Sequence, residues 1–157
     1  MSERKDALKA RLQAARDRWD AVLDAVGDRW EVPVYSDGLQ WTVRQLVNHM
    51  ADAERGQGNQ AMNIAEGKDI IPEDFDIERY NKRFTEKTTE KSAAQSRTEL
   101  VAQRQQFLQW LDALDEAKLD NRGRHSSLQM LTVEEIIDWM AEHERLHAED
   151  LGKVLDA

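Results

Sequence analysis

Apolar residues recur every third or fourth position through four long stretches of the chain, at residues 2–26, 42–66, 92–114 and from 132 nearly to the C-terminus. This spacing places the apolar side chains on one face of an α-helix. The alternating β-branched residues that mark half-buried strands are scarce. The pattern therefore predicts an all-α protein in which four amphipathic helices form a four-helix bundle, as a single domain spanning residues 1–157.

Two of the predicted helices begin with a capping box. Thr42 with Gln45, and Thr132 with Glu135, have the spacing at which the two side chains cap each other's backbone N–H groups. Residues 28–41, 67–91 and 115–131 connect the helices, and residues 76–84 could form a short helix or a lid. No internal repeat is evident, and the pattern leaves the order of the helices in the bundle open.

Two glycines, Gly56 and Gly58, interrupt the second predicted helix. Each weakens a helix by about 1 kcal/mol relative to alanine. The glycines either allow close packing or make room for a ligand, or they are simple irregularities of the helix.

Composition narrows the classes of function. The chain has 22 basic and 31 acidic residues, a net charge of −9, which disfavours nucleic acid as a partner. It has no cysteine, which excludes disulfides, thiolate ligands and a cysteine nucleophile. No apolar run approaches the length of a membrane span, and the first residues lack the apolar core of a signal peptide. We therefore expect a cytoplasmic protein that does not contact membranes.

Three of the four histidines suggest a metal site. His143 and His147 are four residues apart in the last predicted helix, so they share one face, and His49 lies in the second helix. Helix phase places His147 within the apolar stripe, His143 at its edge and His49 on the flank of its own stripe. Three protein ligands with one open position are typical of a catalytic metal. The alternative is that these histidines are hydrogen-bonded core residues.

The segment His143-Glu-Arg-Leu-His147 also matches the His-Glu-x-x-His signature of zinc proteases. A zinc protease normally takes its third ligand downstream, and only ten residues follow His147. No strand is evident to hold an extended peptide, so the sequence disfavours proteolysis. Glu144 remains a candidate catalytic base or a residue that supports a ligand; otherwise it is a surface carboxylate near Arg145.

Residues 41–49, Trp-Thr-Val-Arg-Gln-Leu-Val-Asn-His, and residues 127–147 with the histidine pair resemble the DinB-like (DinB/YfiT) superfamily of metal-dependent enzymes. The resemblance covers nearly the whole chain. It implies a four-helix bundle of up-down-down-up order, frequent dimerisation, and a divalent metal, Zn²⁺ or Ni²⁺ by expectation, held by His49, His143 and His147. Better-understood branches use low-molecular-weight thiols such as mycothiol or bacillithiol in transferase or isomerase reactions.

Two classes of function follow. The first is a metal-dependent enzyme acting on a small molecule, a thiol S-transferase or, with water at the metal, a hydrolase. Candidate helpers are Glu144 and His125; His125 lies in a loop where it could close over the pocket or be solvated. Arg122 and Arg124 in the same loop could meet an anionic substrate. The second class is a non-enzymatic, metal-binding or stress-related dimeric bundle.

The residue pattern also predicts a homodimer. Val47 and Trp110 lie beyond a single apolar stripe on their helices. A second copy of the chain is the commonest cover for such surface. The alternative is that residues 67–91 cover these side chains within one chain.

Overall fold

The computed structural model describes residues 2–156, in which four long helices form a bundle and a shorter helix packs against it. The predicted four-helix bundle is therefore confirmed. The long helices are α1 (Glu3–Asp24), α2 (Val43–Ala65), α4 (Ala93–Ala113) and α5 (Val133–Leu155); the short helix α3 spans Ile77–Lys87, and a 3₁₀ turn spans Glu116–Asp120. Among the described residues, no helix is both long and apolar enough to span a bilayer.

Ion pairs and hydrogen bonds between helices define their order. Helix α1 runs parallel to α5 and antiparallel to α4, whereas α2 runs parallel to α4. The four long helices therefore follow the up-down-down-up order that the family resemblance implied. The contacts that set these directions are Arg4–Glu134 and Arg11–Asp138, Lys9–Asp112 and Asp24–Arg97, and Asn48–Ser96 and Glu54–Arg104.

Two connectors that the pattern predicted as loops contain β-hairpins instead. Hairpin 1 pairs β1 (Pro33–Ser36) with β2 (Leu39–Thr42), and hairpin 2 pairs β3 (Arg122–Arg124) with β4 (Met130–Thr132). Asp37 and Gly38 form the turn of hairpin 1 with φ angles of 54° and 76°. Two positive φ angles are what a type I′ turn requires, and Asp-Gly is a preferred sequence for it. Strands of three or four residues are too short to produce a clear alternation of apolar residues.

The hairpins also reveal an internal repeat that the sequence pattern did not show. Each hairpin leads directly into a threonine capping box, Thr42 at the start of α2 and Thr132 at the start of α5. The chain thus consists of two helix–hairpin–helix halves, offset by about 90 residues, the separation of Thr42 and Thr132. The repeat lies in the backbone and the caps more than in residue identity, since Trp139 occupies the position that corresponds to His49.

The apolar core is divided into two clusters along the bundle axis. One cluster surrounds Leu12, Phe107 and Ile136, and the other surrounds Trp19 and Leu46. Between them lies a layer of charge. Arg16 of α1, for example, falls between Leu12 and Trp19.

This charged layer is an ionic tetrad of Arg16, Glu54, Arg104 and Glu144, one residue from each long helix. Arg16 donates to Glu144 at 2.5 Å and to Glu54 at 3.0 Å. Arg104 donates to Glu54 at 2.7 and 3.1 Å and to Glu144 at 3.1 Å. All four side chains are buried, so the two positive and two negative charges neutralise each other away from water.

Two expectations about individual residues are corrected by this packing. Glu144 is fully buried in the tetrad and is not a surface carboxylate near Arg145, which pairs with Glu142 and Glu149. Val47 is fully buried within a single chain, and Trp110 packs partly buried against the core beside Phe107. The surface argument for a dimer therefore fails, and the homodimer stays a prediction.

Replacing Glu144 by Gln should destabilise the protein by about 3–5 kcal/mol, because the two buried guanidinium groups would share one carboxylate, Glu54, and one positive charge would stay unneutralised. Glu149→Gln removes an exposed partner of Arg145 and should cost less than about 1 kcal/mol. Urea unfolding of both variants measures the difference. Equal losses in the two variants would show that the tetrad does not bear on stability.

Candidate metal centre

The three histidines singled out in the sequence meet at one place in the structure. His49 comes from α2, and His143 and His147 come from successive turns of α5. The ring centre of His49 lies 5.4 Å from that of His143 and 5.2 Å from that of His147. The Nε2 atoms of His143 and His147 are 3.0 Å apart. Two nitrogens bound to one ion at about 2.0–2.1 Å would be separated by a similar distance.

The surroundings of His49 are those of a residue that binds a ligand. Its side chain is buried, and neither ring nitrogen has a hydrogen-bond partner within residues 2–156. Trp41 stacks on the ring at a centroid distance of 4.8 Å and holds its orientation. Burying an unpaired polar group costs about 1–3 kcal/mol of stability. An ion bound to a ring nitrogen of His49 would remove this cost.

Hairpin 1 fixes the proton position on His147. Ser36 Oγ donates to Asp150 Oδ2 at 2.6 Å and lies 2.7 Å from His147 Nδ1. Because the Ser36 hydroxyl donates its proton to the Asp150 carboxylate, its oxygen accepts a hydrogen bond from the Nδ1–H of His147. The Nε2 lone pair of His147 therefore faces the other two histidines. Such support by a hydrogen-bonded carboxylate is common around metal-binding histidines.

A fourth group, Asp37, lies beside the three histidines. One ligand atom from each of Asp37, His49, His143 and His147 can be chosen so that all lie within 4.8 Å of one another. Asp37 Oδ2 is 3.9 Å from His143 Nε2, and its side chain is 58% exposed. Desolvation and the nearby Asp150 raise the pKa of Asp37. The sequence analysis missed this residue, although Asp-Gly between two short apolar runs is a recognisable hairpin turn.

The imidazoles of the cluster are uncharged at neutral pH. Burial lowers the pKa of His49 to about 3 and that of His143 to about 4. The pKa of His147 is also lowered, by burial and by the neighbouring His143. A charged ring would lose its hydration here, so the neutral form, which is the form that binds metals, is favoured.

The two proposed catalytic helpers lie in different places. Glu144 is held in the ionic tetrad by Arg16 and Arg104. His125 is buried at the end of β3, where its ring packs on Trp139 at 4.7 Å, so it is not a solvated loop residue. Burial lowers its pKa to about 4.

Arg122 and Arg124 do not meet the site. Arg122 donates to the Met130 carbonyl oxygen, and Arg124 donates to the Ile71 carbonyl oxygen and pairs with Glu73. Neither arginine lines the cavity beside the histidines. Their predicted role in binding an anionic substrate therefore has no structural support.

The histidine cluster opens on a cavity of about 850 Å³. Asp37, His49 and His143 line it at the cluster, and His125 lines it elsewhere. The segment 67–91 contributes Ile70, Ile71, Phe75, Ile77, Tyr80 and Asn81 to the wall. The short helix predicted at residues 76–84 is present there as α3. Gly56 also lines the cavity, and a side chain there would meet open space, whereas Gly58 packs closely against Phe107.

Comparisons with known proteins agree with this architecture. A family model of the DinB superfamily matches residues 34–151. The chain shares 21% identity and a TM-score of 0.75 with YfiT from Bacillus subtilis, described as a probable metal-dependent hydrolase with an unusual four-helix bundle topology; the match covers 99% of this chain and 90% of YfiT. The colibactin self-resistance protein ClbS, solved with double-stranded DNA, shares 16% identity and a TM-score of 0.76 over 98% of this chain and 96% of ClbS. A search of curated proteins found no match.

Acidification should destabilise the metal-free protein. The pKa values of His49 and His143, about 3 and about 4 in the folded chain, lie below the value of about 6.5 expected when unfolded. Between these values the unfolded chain binds more protons, so this stability is complete above pH ~6.5 and is lost as the pH falls toward ~4 and then ~3. Each histidine contributes a slope of up to about 1.4 kcal/mol per pH unit.

Urea unfolding at pH 7, 6 and 5 in the presence of a chelator measures this slope, with His49→Leu as the matched variant. The variant should show a shallower dependence because it lacks one titrating group. Identical slopes would show that His49 titrates normally in the folded protein.

Proposed function

Because the chain belongs to the DinB superfamily and brings three histidines and a carboxylate together beside a cavity, we propose that it is a metal-dependent enzyme acting on a small molecule. The observation that carries the proposal is His49, a buried imidazole at the cavity whose two nitrogens have no partner within the described residues. A core histidine without a ligand would be hydrogen-bonded.

His49, His143 and His147 would hold the ion, and Zn²⁺ or Ni²⁺ suits three nitrogen ligands. A divalent ion held there would supply Lewis acidity and would lower the pKa of a water or thiol bound to it. Asp37 is the group that would take the released proton. Its raised pKa brings the carboxyl closer to neutral pH, where a general base is more effective.

Hydrolysis is the reaction that the site supports best. Asp37 is a carboxylate on an exposed turn at the cluster, suited to accept a proton from water. Within residues 2–156, no lysine or arginine lines the cavity to match the carboxylates of an anionic thiol. The description of YfiT as a probable metal-dependent hydrolase supports the same direction.

Thiol S-transfer is the second candidate. Three imidazole nitrogens also suit an ion that binds a thiolate, and Asp37 could accept a thiol proton as well as a water proton. The absence of basic lining residues favours an uncharged thiol over an anionic one for this reaction. Glu144 has no part in either candidate, because its carboxylate is already bound by two arginines.

A purely structural metal site would be closed by a fourth protein ligand. Asp37 is the residue that could close this one. Its side-chain exposure and the opening of the cluster onto the cavity support an accessible site. The alternative is a non-enzymatic metal-binding bundle. The Asp37→Asn experiment described below distinguishes it from an enzyme.

We expect a small-molecule partner and no nucleic acid, since the net charge of −9 repels a phosphate backbone. The DNA bound to ClbS belongs to that protein, and a DNA titration of this chain tests the expectation. Homodimerisation and a cytoplasmic location also stay predictions. Sedimentation at micromolar concentration tests the first of these.

Protein purified without a histidine tag should contain about one divalent ion per chain by elemental analysis. His49→Ala and His147→Ala should lose it, because each removes a ligand. His125→Ala should keep it, because its ring stacks on Trp139 outside the cluster. A wild-type protein that cannot be loaded with Zn²⁺ or Ni²⁺ would overturn the metal-site proposal.

Asp37→Asn should keep the metal but lower hydrolysis of chromogenic esters about 100-fold, because the amide cannot accept a proton. Asp28→Asn, the same change at an exposed aspartate outside the cavity lining, serves as the variant with unchanged activity. Loss of the metal in Asp37→Asn would instead identify Asp37 as a fourth ligand and favour a structural site. Thiol-conjugation assays on the same variants separate S-transfer from hydrolysis.

A further inference from the structure

Two buried glutamines, Gln57 and Gln60, lie on the cavity-facing side of α2, and we call them the amide pair. They follow His49 by eight and eleven residues. At a rise of 1.5 Å per residue, they lie roughly 12 and 17 Å from it along the helix axis. The amide pair therefore marks a part of the cavity well separated from the histidine cluster.

The orientation of the Gln60 amide follows from its partner. The backbone N–H of Ser126 donates to Gln60 Oε1 at 3.0 Å. A backbone N–H can only donate, so the atom that it meets must be the amide oxygen. The NH₂ group of Gln60 makes no hydrogen bond in the described part of the chain and is not sealed from the cavity.

The orientation of the Gln57 amide follows in the same way from His125. The backbone N–H of Ser127 donates to His125 Nδ1 at 3.1 Å, so the ring proton is on Nε2. That Nε2–H faces Gln57 Oε1 at 3.3 Å. The oxygen of Gln57 therefore accepts a hydrogen bond from His125, and its NH₂ group is available to a ligand in the cavity. Each glutamine of the amide pair thus presents its NH₂ donor to the cavity, while its oxygen already accepts a hydrogen bond.

The internal repeat supplies an independent reason to regard the amide pair as a built site. With the offset of about 90 residues, the amide pair corresponds to His147 and Asp150. Ser36 of hairpin 1 holds both of those residues, and Ser126 of hairpin 2 holds Gln60. In both halves a serine of the hairpin therefore contacts the corresponding helix position, Ser36 through its hydroxyl and Ser126 through its backbone N–H. The residues contacted are a candidate ligand and its carboxylate in one case and an amide in the other.

The cavity walls limit what the amide pair can bind. Among residues 2–156, no lysine or arginine lines the cavity, whereas five carboxylates do. The apolar part of the wall includes Trp139, Phe75 and Tyr80, which suit a flat or branched apolar body. An anion in the cavity would meet these carboxylates and no positive charge, and a cation placed at the amide pair would meet two NH₂ donors.

We propose that the amide pair recognises an uncharged hydrogen-bond acceptor, the carbonyl oxygen of an amide or ester, on an elongated and largely apolar substrate. The other end of that molecule reaches the histidine cluster; this last point alone rests on the proposed function. Gln57 and Gln60 are specificity-determining residues, and they take no part in proton transfer.

Three probes of matched length separate the ligand classes: 4-phenylbutanamide, 4-phenylbutanoate and 4-phenylbutylamine. Calorimetric titration uses the protein as purified and again after chelation. The neutral amide should bind about 10-fold more tightly than the carboxylate and the amine in both preparations, the free energy of about one hydrogen bond. A carboxylate or amine that binds as tightly as the amide overturns the proposal.

Gln57→Glu and Gln60→Glu are the decisive variants. Each keeps an oxygen that can accept from His125 or Ser126 and replaces the NH₂ donor by a negatively charged acceptor oxygen, which repels a carbonyl oxygen. Each should weaken 4-phenylbutanamide about 10-fold, whereas Gln105→Glu on the exposed face of α4 should bind it as the wild type does. Unchanged binding in both cavity variants overturns the proposal. Because chelated protein gives the same readout, this result is independent of whether the metal site is real.

Discussion

The ionic tetrad is the constraint on which the arrangement of the bundle depends. Two guanidinium groups and two carboxylates removed from water are tolerable only while all four are paired, since one unpaired buried charge costs several kcal/mol. Each long helix contributes one member. A shift of any helix by one turn would leave a buried charge alone, so the tetrad selects one register among many that apolar packing alone would permit.

That register places the histidine cluster. Glu54 on α2 and Glu144 on α5 are fixed at one level of the bundle, and His143 is the residue beside Glu144. Successive residues point about 100° apart on a helix, so Glu144 faces the bundle axis while His143 faces the cavity. His49 lies five residues before Glu54, on a helix that runs antiparallel to α5. The glutamate of the His-Glu-x-x-His segment therefore positions the helix that carries the histidines, which differs from its role as a base in a zinc protease.

The parts of the fold that follow from helical periodicity could be predicted from the sequence. The four helices, both capping boxes and the shared face of His143 and His147 depend on spacing along single helices. The convergence of His49 with that pair was implied by the family resemblance. The hairpins, the repeat and Asp37 could not be predicted in this way, because strands of three or four residues carry almost no periodic signal. The tetrad was missed because its pairs join residues far apart in the chain, although Arg16 beside the apolar stripe of α1 was a visible anomaly.

The two halves of the repeat place the candidate metal cluster and the amide pair at two ends of one cavity. Hairpin 1 orients His147 through the Ser36 hydroxyl, and hairpin 2 orients Gln60 through the Ser126 backbone N–H, so serines at corresponding positions support both sites. In the second half Trp139 replaces His49, and an indole offers no lone pair to an ion. The candidate ligands, drawn from α2 and α5, therefore meet at the end of the cavity beside hairpin 1, while the end beside hairpin 2 presents the amide donors. A substrate lying between the halves would meet fixed groups at both ends, and such positioning is a large part of what an enzyme supplies to a reaction.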